Sequence, residues 1–141
     1  MNLNRRQTLF LGTATAVAAT FPGLAWTEGM TTDEAIAKFT GGADVADGGV
    51  EIGAPEIAEN GNTVPVEVSA DGATDILLLA AGNPNPGVAT FHFGKLSASS
   101  AASTRIRLAK SQDLVAVAKL ADGSFAKASR AVKVTIGGCG G

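Results

Sequence analysis

Two periods divide the chain: apolar residues recur at helical spacing just after Thr31, and from Val50 onward they recur at every second position. Thr31-Thr32-Asp33-Glu34 has capping-box spacing, which places the Thr31 hydroxyl to accept from the Glu34 amide and the Glu34 carboxylate to reach back. Ala35, Ile36 and Phe39 follow on one face, and Gly41-Gly42 stops the helix. In the second regime Val64, Val66 and Val68 alternate with Thr63, Pro65 and Glu67, and Ile106 and Leu108 with Arg105 and Arg107. Val132, Val134 and Ile136 do the same against Lys133 and Thr135, as strands with one wet face require.

Turn signals separate these runs at Asn60-Gly61-Asn62, Asp71-Gly72, Asn83-Pro84-Asn85-Pro86-Gly87 and Asp122-Gly123. The last, between Leu114–Leu120 and Phe125–Ile136, predicts a hairpin. Pro65 inside a strand pattern predicts an edge or bulge, and the Ser/Ala-rich stretch Leu96–Ser103 reads as a loop. About seven short strands after one helix define the expected fold: an all-β, immunoglobulin-like antiparallel β-sandwich with a short N-terminal helix.

Composition adds a segment that does not belong to the domain. Residues 1–25 carry Arg5-Arg6, an apolar stretch from Leu9 towards Phe21, and the small-residue site Gly23-Leu24-Ala25, the layout of an export signal. The stretch is too short, and too interrupted by Gly12, Thr13, Thr15 and Thr20, for the roughly 20 residues a membrane span needs. The arginine pair before an Ala/Thr-rich segment resembles a twin-arginine (Tat) signal, although Asn4-Arg5-Arg6-Gln7-Thr8-Leu9 lacks the aromatic residue often found after the pair. The expected organisation is a signal over 1–25, a sandwich domain over 26–136 and a tail over 137–141, in a periplasmic protein.

Residues 1–25 hold two of the 11 basic side chains and none of the 13 acidic ones, so the remainder carries a net charge of −4. No stripe of clustered Lys and Arg is present to neutralise phosphates, which argues against nucleic acid. One cysteine permits no disulfide within the chain. That cysteine, Cys139, sits in Gly137-Gly138-Cys139-Gly140-Gly141, where a core thiol would not be. The four glycines predict a mobile arm that presents the sulfur with little steric cover. Lying beyond the last strand residue, Ile136, the tail is expected to contribute little to folding, so that valine at position 138 or 140 would leave stability unchanged.

Catalytic apparatus is sparse. His92, the only histidine, lies between Phe91 and Phe93 with its side chain on the opposite face from theirs. One imidazole makes neither a metal site nor a triad, so it reads as a structural or surface residue. Glu56 and Glu59 read as an acidic loop face. No catalytic residue, metal site or cofactor is assigned.

The GGCGG tail, the preceding Val132-Lys133-Val134-Thr135-Ile136, Ala54-Pro55-Glu56-Ile57-Ala58-Glu59-Asn60-Gly61, Thr63-Val64-Pro65-Val66 and Ser103-Thr104-Arg105-Ile106-Arg107 together resemble SoxY, the sulfur carrier of the periplasmic Sox thiosulfate-oxidation pathway. The resemblance spans essentially the whole chain after residue 25. It implies an immunoglobulin-like subunit that pairs with SoxZ, as a heterodimer or heterotetramer, and carries pathway intermediates covalently on Cys139, with Gly137, Gly138, Gly140 and Gly141 as its arm. It further implies a substrate of enzymes and not a turnover catalyst. SoxXA, a cytochrome, joins thiosulfate oxidatively to the thiol; SoxB hydrolyses off sulfate; SoxCD, where present, oxidises the remaining sulfane sulfur. No Lys, Arg or His lies within the tail to activate Cys139, so activation is expected from the partner's site.

Two rival readings come from other classes. Gly140-Gly141 could mark a ubiquitin-like carrier with a terminal thiocarboxylate, against which stand the export signal and the long β pattern. The chain could instead be a structural periplasmic immunoglobulin-like module whose Cys139 forms an intermolecular disulfide.

Overall fold

The Thr31 hydroxyl accepts from the Glu34 amide at 3.2 Å and the Glu34 carboxylate accepts from the Thr31 amide at 2.8 Å, so the predicted capping box opens helix α1, Thr32–Thr40. Gly41 ends it in the left-handed region at φ 65°, which only glycine enters without strain. These elements belong to a computed structural model that describes residues 29–138; the proposed signal, residues 1–25, lies outside the described residues.

Nine strands follow among the described residues: β1 (Val45–Asp47), β2 (Glu51–Gly53), β3 (Ile57–Asn60), β4 (Val64–Ser69), β5 (Ala73–Ala80), β6 (Gly87–His92), β7 (Ala101–Ile106), β8 (Gln112–Leu120) and β9 (Phe125–Ile136). They make two sheets. The larger has the order β1-β9-β8-β5-β6 with β3 also on β9, and the smaller has the order β2-β4-β7. Val64, Val66 and Val68 of β4 turn inward with Pro65 and Glu67 outward, as the alternation predicts. They meet Ile76 and Leu78 of β5, Leu114 and Ala116 of β8 and Val132 of β9 in one core between the sheets. The mostly β architecture of two facing sheets and one short helix is the fold the sequence predicts.

The helix forms a third layer. Ala35 of α1 packs with Leu77, Leu79, Val117 and Phe125 on the outer face of the large sheet, and Phe39 meets Phe125 edge-to-face at 5.9 Å. Strand β5 is therefore covered on both faces, which accounts for its unbroken apolar run from Ile76 to Ala80. The β8–β9 hairpin closes at Asp122-Gly123 as predicted, with Gly123 at φ 87°.

Two expectations need correction. The sandwich is not wholly antiparallel, because β1 and β3 both run parallel to β9 along one edge. After β1 the chain crosses through Gly48-Gly49 into the small sheet as β2 and then returns as β3. The detour leaves β9 without a neighbour on that edge between Lys127, paired with Asp47, and Lys133, paired with Ile57. Arg130 stands in this gap on the core-facing row, an inward charge of the kind that discourages further strands from adding there. Secondly, Ala101–Ser103 are not loop but the start of β7, paired with Ser69, Val68 and Glu67. Small residues of weak strand preference are held extended by their partner, and the loop is confined to Leu96–Ser100. Pro65 fits its prediction in part. Strand β2 reaches only as far as Glu67, so β4 has a single neighbour at Pro65.

Candidate functional site

Strand β9 carries the chain out of the sandwich to the cysteine-bearing segment, and its last turns are unusually well fastened. Past Val132 it leaves β8 and is paired on its other side by β3, with Ala58 beside Val134 and Asn60 beside Ile136. The Ser111 hydroxyl accepts from the Val134 amide at 2.8 Å. The Ile136 carbonyl accepts from the Gly61 amide at 2.7 Å, the Gly61 carbonyl accepts from the Leu108 amide at 2.8 Å, and the Leu108 carbonyl accepts from the Gly138 amide at 2.9 Å. Three segments distant in sequence thus close a ring of backbone bonds around the exit of the chain.

Glycine is required in that ring by proximity. A Cβ on Gly61 would lie 2.4 Å from the Leu108 carbonyl oxygen and 2.8 Å from the Gly138 nitrogen. One on Gly137 would lie 2.2 Å from the Ala109 carbonyl oxygen, and one on Gly138 would lie 2.6 Å from Cγ of Arg107. Gly61 and Gly138 are both buried. The expectation of a free arm beginning at Gly137 is therefore corrected: Gly137 and Gly138 are the seated root of the segment. Cys139, Gly140 and Gly141 lie outside the described residues.

The segment that receives Gly138 is itself held by a side chain. The Asn83 carboxamide donates through Nδ2 to the Arg107 carbonyl at 2.8 Å and accepts at Oδ1 from the Ala109 amide at 3.0 Å, so it brackets Leu108 from both sides. Gln112 donates to the same Oδ1 at 2.9 Å and accepts from the Gly82 amide at 2.8 Å. Asn83 comes from the Asn83-Pro84-Asn85-Pro86-Gly87 turn, which reads in the sequence only as a turn signal; no pattern there couples it to residues 107–109. Arg107 is likewise invisible in the sequence as a neighbour of the tail, yet its side chain packs against Gly138.

His92 falls elsewhere. It points away from Phe91 and Phe93, which pack on the core, and its imidazole Nδ1 pairs with the Asp75 carboxylate directly across the β5–β6 ladder. The Asp75 carboxyl is held below its ordinary value, first by the Thr74 hydroxyl that donates to it at 2.7 Å and then by His92. Strands β5 and β8 separate β6 from β9, and Asp75 lies level with Lys119, which pairs with Phe125 at the far end of β9. Eleven residues of strand at about 3.4 Å each put the pair on the order of 35 Å from Ile136. His92 cannot serve the segment at its seated root. Glu56 and Glu59 are exposed on the approach to and along β3 and make no cluster with other ligands. Among the described residues no group of three or more His, Cys, Asp or Glu could hold a metal ion, and no helix is long and apolar enough to cross a membrane.

A small sandwich whose last strand is bolted at its exit, one residue before a glycine-flanked cysteine in the sequence, has the build of a presenting or carrier domain. A family model described as "Sulfur oxidation protein SoxY" matches residues 36–139, ending at Cys139 itself. The chain belongs to the SoxY family. The solved structure of the sulfur carrier protein SoxY from Chlorobium limicola f thiosulfatophilum is 40% identical, covers 74% of this chain and 96% of that chain, and superposes with a TM-score of 0.65. This chain is accordingly a sulfur carrier of the Sox system. Two further structures share the fold alone: superoxide reductase (neelaredoxin) from Ignicoccus hospitalis, at 23% identity over 75% of this chain and 94% of that one with a TM-score of 0.54, and a hypothetical protein from Pyrococcus horikoshii OT3, at 19% over 68% and 98% with a TM-score of 0.52. A search of curated proteins returns no match.

Proposed function

We propose that Cys139 is the attachment point of the carried sulfur, and that the chain works in the periplasm on thiosulfate-derived intermediates, having been exported through the Tat route by residues 1–25. The observation that carries the reading is a family match that runs to Cys139, behind a strand exit that ends one residue before it. In the first step a SoxXA-type cytochrome accepts two electrons as the Cys139 thiol and thiosulfate join through a new S–S bond, and the thiol proton is released. The product is a cysteine S-thiosulfonate. A SoxB-type hydrolase then adds water across the sulfane–sulfonate bond, releasing sulfate and leaving a persulfide on Cys139. Where a SoxCD-type enzyme is present, it oxidises that outer sulfur. The chain supplies the nucleophile and the presentation, while the partners supply oxidation and hydrolysis.

A SoxZ-like subunit is the proposed structural partner, in a heterodimer or heterotetramer. Strand β3 has only β9 beside it, and Ile57 on β3 and Ile136 on β9 are 61% and 67% exposed. Apolar side chains on an open edge pair are what a second subunit would cover.

Intact-mass measurement of the purified protein, before and after reduction, tests the attachment site. Reducible adducts of sulfur-species mass on the wild type, absent from Cys139→Ser together with thiosulfate oxidation, are the expected result. Full thiosulfate oxidation by Cys139→Ser would overturn the carrier role of this thiol.

A further inference from the structure

We propose that Asn83 is a positioning residue for the carried sulfur: through its bracket on Arg107 and Ala109 it fixes the Leu108 carbonyl on which Gly138 is seated, and so sets where Cys139 leaves the domain. The inference rests on the reading of Cys139 as the attachment point. Nothing about the turn it comes from demands this carboxamide, since the turn bond there is made by the Asn83 amide itself, which donates to the Ala80 carbonyl at 3.1 Å. The side chain is spent wholly on the 107–112 segment.

Its orientation is fixed by its partners. Nδ2 faces a carbonyl, which can only accept, and Oδ1 faces two N–H donors, from Ala109 and Gln112. A flipped amide would oppose like to like at all three contacts. Leu108 is fully buried between the two bracketed residues, and both of its backbone groups go to the exit ring, the amide to Gly61 and the carbonyl to Gly138. Leu108 therefore cannot shift without carrying Gly138 along, and Asn83 is the side chain that stops it. The next residue after Gly138 is Cys139, so in the sequence the seat lies one residue from the sulfur-bearing side chain. That short separation makes the seat matter, because an error of about 1 Å in a reacting atom's position can cost on the order of a hundredfold in rate.

The test uses the full chain lacking residues 1–25, with Cys139 intact. In Asn83→Ala, hydrogen exchange at the Gly138 amide should rise about tenfold, the scale of losing roughly one net hydrogen bond's support. Thiosulfate loading by a cognate SoxXA-type cytochrome should fall about tenfold or more, while alkylation of Cys139 by iodoacetamide, which needs no docking, stays within about twofold of wild type. Thr31→Ala, which weakens the distant helix cap, is the stability control and should leave both exchange at Gly138 and loading unchanged. Gln112→Ala, which keeps both of the Asn83 bonds to backbone, should give a smaller effect in the same direction and serves if Asn83→Ala fails to fold. Unchanged Gly138 exchange in Asn83→Ala, or an equal loss of loading in Thr31→Ala, would overturn the proposal. Should wild type itself take up no sulfur from thiosulfate, the carrier reading fails, whereas the exchange measurement still decides whether Asn83 seats Gly138.

Discussion

The Gly138 amide donates to the Leu108 carbonyl at 2.9 Å, thirty residues back along the chain, and this bond turns what the sequence presents as a loose tail into a seated exit. The bond is short-range in space and long-range in sequence. It fixes Gly138, the residue before Cys139, by a contact that sequence spacing does not show.

Gly138→Val should lower stability by about 1–3 kcal/mol, the usual cost of forcing extra carbon into a filled site, because its Cβ would press on Cγ of Arg107 at 2.6 Å and on the Gly61 carbonyl oxygen at 3.1 Å. In a domain of this size that is a fall in Tm of roughly 4 °C or more per kcal/mol. Gly140→Val, beyond Cys139, should leave Tm within about 0.5 kcal/mol equivalent. Thermal melts of both variants check the contrast, and equal Tm values would mean that the seat adds nothing to stability.

Arg107→Gln should slow alkylation of Cys139 at neutral pH. The Arg107 stem lies against Gly138, the residue before Cys139, and a cation close to a thiol favours the thiolate, the form that reacts. Iodoacetamide kinetics across a pH series should show the variant's curve displaced to higher pH. Superimposable curves would show that Arg107 does not reach the thiol.

The Asp75 carboxyl, lowered by the Thr74 hydroxyl and by His92, should contribute to the acid limb of stability. A folded-state value below the unfolded one of about 3.9 means stability that is present above that pH and lost as pH falls through the folded value. Asp75→Asn should therefore lose less Tm than wild type on acidification from about pH 5 to pH 2. Parallel losses in the two proteins would remove Asp75 from the account.

Ile136→Lys and Ile57→Lys should leave the isolated chain folded, since both side chains are largely exposed, yet weaken its complex with a SoxZ-like subunit. Size exclusion of co-expressed chains checks this. A complex untouched by both changes would place the partner on another face.

Local chemistry made much of this protein legible in its sequence. The capping box at Thr31 and Glu34, the β4 alternation of Val64, Val66 and Val68, and the hairpin at Asp122-Gly123 each depend on residues within a few positions of one another, and each formed as read. Cys139 in its glycine run marked the candidate chemistry for the same reason. Pairing across the chain was not legible. The parallel seating of β1 and β3 on β9 follows from a crossover between sheets, and Ala101–Ser103 become strand only because Glu67–Ser69 lie beside them. The glycine tail was legible as flexible because glycine has no Cβ, and that same absence is what lets Gly61, Gly137 and Gly138 approach neighbouring backbone closely enough to be fixed. Composition records that a side chain is missing; only the tertiary structure decides whether the space left is filled by solvent or by the Leu108 and Ala109 carbonyls.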